Sequence, residues 1–272
     1  MAGVQSSYSS APAIGYPGQL ADNGDHDIKS VIVETATSAG LVVLTGASTR
    51  AEGRPPAAPD AADADGFITN IASAATAQTL SGASLNGAIG ASAMLPPRNV
   101  VLVLSSHADW DLTTAVVTGE DEEGRVVQEA LVIPNGGNVT VTGVQHFRKI
   151  TSLYIPAQSG TGGTATMGTG SSLGPIGHID VHGVAVYDAS REPEAYAADE
   201  VMPCLRKGRI YVTSESSYSD QDPVYVRFVA TGDEVRGQVR NAHDSTDCAL
   251  LKNARYRNTG SAGVAMIELN LP

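Results

Sequence analysis

Short runs of apolar, mostly β-branched residues separated by turn-forming residues dominate the pattern along the chain. In the middle third these runs cover residues 99–104, 113–118, 126–133, 138–142 and 150–155. Gly, Pro, Asn and Asp cluster between the runs, and these residue types favour turns. Runs of strand length at such even spacing predict a β-sandwich or a β-barrel.

Both ends of the chain show the same pattern. Residues 28–44 consist of two β-branched runs on either side of Gly40, which predicts a strand, a turn and a second strand. Further runs of strand length lie at residues 182–187, 209–213, 223–229 and 263–269. Only residues 71–78 are compatible with a helix, so we predict that regular helix is a small minority of the chain. No repeat of fixed period is present, which argues against a solenoid or a propeller.

Residues 51–95 interrupt the strand pattern. Residues 50–65 are rich in Pro, Ala and acidic residues, and Pro lacks the amide donor that the interior of a sheet requires. Residues 66–94 are small and weakly apolar, with glycines that disfavour a helix. We therefore predict a linker or an extended arm over residues 51–95, irregular in its second part.

Composition and charge exclude several classes of partner. The chain has 272 residues, with 17 Lys and Arg against 29 Asp and Glu, for a formal net charge of −12. Because so acidic a chain lacks the positive surface that binds a phosphate backbone, we expect no nucleic-acid partner. The first ten residues have neither a basic nor an apolar region, and no stretch reaches the roughly 18 apolar residues of a membrane span. We therefore expect a soluble protein with no membrane partner.

The two cysteines, Cys204 and Cys248, are too few for a disulfide scaffold and lack the spacing of a zinc knuckle. We predict two reduced, buried thiols, because free cysteine is among the most buried residue types. A single bridge between the two cysteines is the alternative.

Two groups of His and Asp have a spacing that suits metal ligands. Residues at i, i+2 and i+4 of a strand project from one face, and imidazole and carboxylate groups suit divalent ions. The groups are His178, Asp180 and His182, and His107, Asp109 and Asp111. A solvated polar face produces the same spacing, and we predict that the chain has no metal site and no cofactor.

Candidate catalytic motifs are weak. Residues 170–174 match the G-x-S-x-G pattern of a nucleophile elbow around Ser172, but that elbow requires a strand before it and a helix after it. Pro175 and Gly177 follow the motif, so we predict a flexible loop. The consecutive acids at residues 121–123 could suggest a glycosidase, which needs two separated carboxyl groups. A solvated hairpin turn is the simpler interpretation, and we predict no catalytic residue and no enzymatic activity.

Motifs at both ends of the chain resemble those of phage structural cement proteins. Residues 16–44 combine a Pro-Gly entry, an Asp-rich loop, a strand ending in Glu and a Gly-led hydrophobic strand. The closing motifs are Gly-Val-Ala-Val at 183–186, Gly-Arg-Ile-Tyr-Val at 208–212, Asp-Pro-Val-Tyr-Val at 222–226 and Gly-Val-Ala-Met-Ile-Glu-Leu at 263–269. Together these motifs cover roughly half of the chain. The stretch from about residue 96 to 174 looks like another phage structural module, with Asp109-Trp110 before a strand and a Gly/Thr-rich close.

The resemblance implies an all-β fold with a discontinuous body. The expected parts are a barrel-like or jelly-roll-like cement body from residues 1–50 and 178–272, the linker or arm at 51–95, and an inserted β-sandwich at 96–177. The resemblance transfers no catalytic residue. Small-residue strands with open edges also favour an oligomer, because such edges need a partner to cover them.

The function that the resemblance implies is binding. We expect a cement or decoration protein, a homotrimer or homodimer, that binds the outer surface of the assembled major capsid protein shell. It would be made in the bacterial host cytoplasm and reside on the virion exterior. The alternative is a phage head fibre or adhesin whose inserted domain binds a host glycan or protein. An enzyme such as a polysaccharide depolymerase would require a long repeat or a clustered acid pair.

Overall fold

A computed structural model describes residues 15–22, 24–47, 49–190, 195–244 and 246–272, and the regular secondary structure of these residues is almost entirely β-strand. The first strands are β1 (Asp27–Val33), β2 (Thr37–Ser38), β3 (Val42–Thr45) and β4 (Glu52–Arg54). The next are β5 (Ile68–Ala72), β6 (Gln78–Ser81), β7 (Arg98–Ser106), β8 (Thr113–Glu120), β9 (Val126–Ile133), β10 (Gly137–Phe147), β11 (Lys149–Ile155) and β12 (Thr164–Leu173). The last are β13 (Val181–Ala185), β14 (Ala195–Tyr196), β15 (Val201–Ser214), β16 (Pro223–Arg227), β17 (Val239–Arg240), β18 (Cys248–Tyr256) and β19 (Gly263–Asn270).

Helix is nearly absent from these described residues. Their one helical element is a 3₁₀ turn at Gly82–Ser84, so the all-β prediction is confirmed. None of their helices has the length and hydropathy that crossing a membrane would require.

Strands β5 to β12 form two four-stranded sheets with the orders β10-β7-β12-β5 and β6-β11-β8-β9. The sheets enclose one apolar core, in which Phe67, Trp110 and Phe147 are fully buried. On β8 the small apolar residues Ala115 and Val117 point into this core while their neighbours are partly or fully exposed. Alternation of this kind is what predicted these strands from the sequence. Within the described residues, strands β7 to β11 pair with one another and with β5, β6 and β12, so residues 68–81 also belong to this sheet system.

Nine of the remaining strands form one sheet, and β15 takes part in two closed rings of this sheet. The first ring has the order β15-β1-β4-β3-β13, and the second has the order β15-β19-β18-β16-β17. Because β15 is 14 residues long, its first half pairs with β1 and β13 and its second half pairs with β19. The predicted pairing of residues 28–44 with strands after residue 177 is confirmed by β1–β15 and β3–β13.

Each ring has its own apolar interior, and the two cysteines are both buried. The first ring encloses a small cluster of Val31, Val33, Val43, Ala185, Tyr196, Met202 and Cys204. A larger cluster fills the second ring and includes Ile210, Val226, Phe228, Tyr256 and Ile267. Cys204 and Cys248 are free thiols, as predicted. Burial raises the pKa of Cys204 to about 12 and that of Cys248 to about 11, so both thiols stay protonated at neutral pH.

Three stretches differ from the sequence-based expectation. Strands β5 and β6 lie where we predicted an irregular segment, and residues 71–78 contain no helix. Residues 170–173 of the G-x-S-x-G match, predicted as a flexible loop, belong to β12, which lies between β7 and β5. Glycine lets the backbone around Asp63 approach this strand closely, because a Cβ on Gly168 would lie 1.7 Å from the carbonyl oxygen of Asp63.

The Pro-rich segment at residues 55–65 lies against the sandwich of its own chain. It is extended, and its carbonyl groups accept hydrogen bonds from the sandwich strands. The donors are Arg98 Nη1 to Asp60 at 2.7 Å, Thr169 N to Asp63 at 2.7 Å and Thr166 Oγ1 to Ala64 at 2.9 Å. These contacts anchor the segment, predicted as a linker or an extended arm, to its own chain. The domain limits at residues 50, 95 and 177 stay a prediction.

Candidate functional site

The side chains of His178, Asp180 and His182, the first group with a spacing that suits metal ligands, each contact a different partner. Residues 178–180 form a turn and β13 begins only at Val181, so the three side chains do not share a strand face. Their contacts are His178 Nδ1 to Glu123 Oε2 at 2.5 Å, Asp180 to Arg148 at 2.8 and 3.1 Å, and His182 Nε2 to the Glu52 carbonyl at 2.8 Å. Across the described ranges, no group of three or more His, Cys, Asp or Glu is placed to hold a metal ion.

The second group, around His107, also lies in a turn. His107 Nδ1 is 3.5 Å from a carboxylate oxygen of Asp109, whose carboxylate accepts the amide of Gly162 at 2.6 Å. The Asp111 amide donates to the side chain of Gln158 at 2.9 Å. These contacts fasten the loop after β7 to the loop before β12, which is a structural role.

The acidic hairpin at residues 121–123 is buried, which corrects the predicted solvated turn. Asp121 is 7% exposed and Glu122 is 5% exposed. The Asp121 carboxylate accepts the amides of Glu123 and Arg125, both at 2.9 Å. Burial alone would raise the pKa of Asp121, but these amides and the Arg125 guanidinium outweigh it and lower the pKa. The turn is buried because it packs against the body.

Opposite charges meet where this hairpin reaches the body, and we call the set of three contacts the charged joint. Its contacts are Glu122 with Lys252, Glu123 with His178, and Arg148 with Asp180. The bidentate contact of Arg148 with Asp180 raises the pKa of the guanidinium, so this pair stays charged. A groove of about 650 Å³ lies beside the joint, between the hairpin and β18.

Ser172, the serine of the G-x-S-x-G match, contacts a histidine. Its Oγ lies 2.9 Å from His146 Nε2, and its amide donates to Asn99 Oδ1 at 3.1 Å. Burial lowers the pKa of His146, with a smaller contribution from the positive charge of His243. No helix follows β12, so the elbow geometry is absent from these residues. Sequence reasoning missed this pair because the two residues lie on separate strands. The absence of catalytic residues stays a prediction.

Four exposed apolar side chains of the sandwich lie on or beside the outer side of the β6-β11-β8-β9 sheet, while two others, Val139 and Val144, lie on β10 of the opposite sheet. We define the sandwich face by Leu112 (72% exposed), Val126 (73%), Val132 (55%) and Tyr154 (40%). Strand pairing of Thr114 with Val132, and of Val116 with both Ala130 and Tyr154, joins Val132 to Tyr154 through uncharged neighbours, whereas Val126 pairs with Glu120. An exposed apolar surface without charges at its centre is typical of a protein contact.

Comparison with known proteins indicates a phage structural protein. The family model for structural cement protein (E217 gp24/Pam3 gp6) matches residues 86–270. No curated protein matches the chain. A solved structure, the capsid of Myoviridae phage XM1, is similar over 99% of this chain and 98% of its own, at 10% identity and a TM-score of 0.46.

The family match covers more than half of the chain, so the chain belongs to the phage structural cement protein family. The match covers residues 96–174 together with the closing motifs at residues 183–186, 208–212, 222–226 and 263–269, and the opening motif at residues 16–44 lies outside it. Membership implies a structural role in the virion capsid.

Proposed function

We propose that the protein is a capsid cement subunit that binds the outer surface of the assembled major capsid protein shell and stabilises it. The observation that carries the proposal is the family match, which spans both the sandwich strands β7 to β12 and the body strands β13 to β19. A protein that binds only the assembled shell stabilises that shell by mass action, without chemistry.

The sandwich face is the surface that we propose for shell contact. It combines exposed Leu, Val and Tyr side chains with threonines on β8, and burial of such side chains drives association. A charge placed at the centre of this face would lose its hydration on binding without gaining a partner. Val132→Asp should therefore lower occupancy about ten-fold or more at equal protein concentration.

The test uses purified variants and particles that lack the protein. Occupancy is counted by electron microscopy, and DNA release on heating is followed by a dye. The control is Val235→Asp, which makes the same change on a 50% exposed valine of the body. Equal occupancy for both variants would contradict the assignment of the face, while wild-type protein that neither binds nor protects the particles would contradict the cement function. Binding to host cells instead would favour an adhesin.

We further propose that the protein self-assembles, as a homotrimer or as a homodimer. Strand β10 is an edge of its sheet, and residues 137–145 contain no charge and no proline. Natural edge strands usually carry such features to prevent pairing with another chain. Val139→Lys, on this exposed edge, should shift the protein to monomer in light scattering coupled to gel filtration, and a monomeric wild-type protein would contradict the proposal.

A further inference from the structure

The interior of the first ring changes from apolar to basic at one end. On β1 the inward residues Val33 and Val31 are followed by Lys29, because every second residue of a strand faces the same side. On β15 the inward residues Met202 and Cys204 are followed by Arg206 in the same way. Both basic residues therefore lie at the same open end of the ring.

We call this end of the first ring the basic mouth, and residues of other elements contribute to it. A pocket of about 260 Å³ opens there, lined by Lys29, Thr45, Arg50, His178, Ile179, Val181, His182 and Arg206. None of these lining residues is acidic. The chain has 29 acidic residues against 17 Lys and Arg, so a pocket with several bases and no acid runs against its overall charge.

Three cations of the basic mouth lack an ion pair of the kind that several arginines form elsewhere, while its His178 is paired with Glu123. Arg125, Arg148, Arg209, Arg227, Arg240 and Arg257 each lie within 4.0 Å of a carboxylate. Among the described residues, Lys29, Arg50 and Arg206 have no such partner. Arg50 donates to the Ile179 carbonyl at 2.8 Å, which is a neutral contact, and Arg206 donates to the Pro272 main-chain oxygen.

Two further observations indicate that positive charge is concentrated at the basic mouth. The Nε atom of Arg206 is buried without a hydrogen-bond acceptor in the part of the chain described. His182 is 3% exposed, and its pKa is lowered first by burial and further by the charges of Lys29 and Arg206. An unpaired cation with a buried donor has a strong preference for an anion.

We infer that the basic mouth is a binding site for a carboxylate side chain, an Asp or Glu, of the shell protein. The inference rests on the proposed cement function, since the shell protein is the partner that would supply the carboxylate. A single carboxylate fits better than a polyanion, because the net charge of −12 repels extended phosphate chains. The guanidinium of Arg206 would donate charge-assisted hydrogen bonds to the carboxylate, and Lys29 would be the second cation.

The first experiment tests the site without any particle. Glutarate is titrated into the protein at low ionic strength, and the His182 ring signals are followed by NMR. Binding should shift these signals and raise the pKa of His182, because a bound anion favours the imidazolium form. Lys29→Gln and Arg206→Gln should each weaken glutarate binding about ten-fold, the change expected for loss of one charge-assisted hydrogen bond.

The matched control is Lys207→Gln, which removes the same charge from the next residue of β15, on its other side. It should leave glutarate binding within about two-fold of wild type, since only long-range electrostatics change. If Arg206→Gln impairs folding, Lys29→Gln carries the test, because the exposed Lys29 has no internal partner among the described residues. Absence of glutarate binding to wild type, or an equal effect of Lys207→Gln, would overturn the site.

The second experiment tests the source of the carboxylate by particle occupancy. Lys29→Gln and Arg206→Gln should lower occupancy at least five-fold relative to Lys207→Gln, an effect of the order of one charge-assisted contact, and glutarate should compete with wild-type attachment. Glutarate binding with unchanged occupancy would overturn the assignment to the shell protein. If wild type binds glutarate but never attaches to particles, the cement function fails and the anion site stands.

Discussion

The ion pair of Arg148 and Asp180 should be a principal contact that fixes the sandwich to the body. Both guanidinium contacts to the carboxylate are short, at 2.8 and 3.1 Å. The Asp180 side chain is 7% exposed and that of Arg148 is 19% exposed. Arg148→Met therefore leaves a buried carboxylate without its partner, a change that destabilises proteins by about 3–5 kcal/mol when burial is complete. Allowing for the partial exposure of Arg148, we expect a loss of about 2–4 kcal/mol in the free energy of unfolding.

A double-mutant cycle measured by urea unfolding at pH 7 isolates the pair. Asp180→Asn should cost about 1–2 kcal/mol, because Arg148 keeps a second carboxylate, Glu120, at 3.8 Å. The double variant should then be less destabilised than the sum of the single variants by about 1–2 kcal/mol. The control is Arg125→Met, since the Arg125 side chain is 67% exposed and surface pairs contribute about 0–1 kcal/mol. Additive single costs, or a loss for Arg148→Met no greater than for Arg125→Met, would refute this reasoning.

Two further changes test the interior. Gly168→Ala places a Cβ 1.7 Å from the Asp63 carbonyl oxygen and should lower the free energy of unfolding by about 1–3 kcal/mol, while Ser171→Ala on the exposed side of the same strand should stay within about 0.5 kcal/mol. A free energy of unfolding that Gly168→Ala leaves unchanged would show that the backbone around Asp63 is not held against β12. Burial keeps the pKa of His146 and of His182 below 6.5 in the folded protein. As the pH decreases from about 6.5, these histidines are therefore protonated more readily in the unfolded chain than in the folded protein, and the free energy of unfolding should fall. When both histidines are replaced by Gln, unfolding curves at several pH values should show a smaller fall in the free energy of unfolding. An unchanged fall would contradict the assignment of this pH dependence to His146 and His182.

Strands with a buried and an exposed side were visible in the sequence because alternation is a local signal. On β9 the residues Leu131 and Ile133 are buried while Val132 between them is exposed, and this period of two identifies the strand. The same signal was absent from β12, where glycines leave no side-chain pattern. There the strand is imposed by its neighbours β7 and β5, and the glycines accommodate the arm.

The charged joint was invisible in the sequence for a different reason. Glu122 and Lys252 are separated by most of the sandwich and half of the body, and no local pattern links residues so far apart. A run of acids is usually solvated, so burial of Glu122 depends entirely on the docking of the hairpin. By contrast, the basic mouth did have a readable signal. Met202, Cys204 and Arg206 alternate along one strand, with the change from apolar to basic at its end.

The shared strand β15 gives the proposed contact surfaces a fixed relation to each other. Arg206 lies on the half of β15 that belongs to the first ring, and the other half pairs with β19 of the second ring. The second ring meets the sandwich through Lys252 and Glu122 of the charged joint. If the basic mouth and the sandwich face both contact the shell, rigid connection makes the second contact intramolecular once the first has formed.

Loosening the charged joint at Lys252 should then weaken attachment without altering either surface, because Lys252 and its partner Glu122 line neither the basic mouth nor the sandwich face. Lys252→Met, at a temperature where the variant is folded, should reduce occupancy on particles while its glutarate affinity stays at the wild-type value. The reduction follows because a loose joint lowers the effective concentration of the second surface. Unchanged occupancy for folded Lys252→Met would mean that the sandwich and the body do not bind the shell together, and that one of the two surfaces accounts for attachment alone.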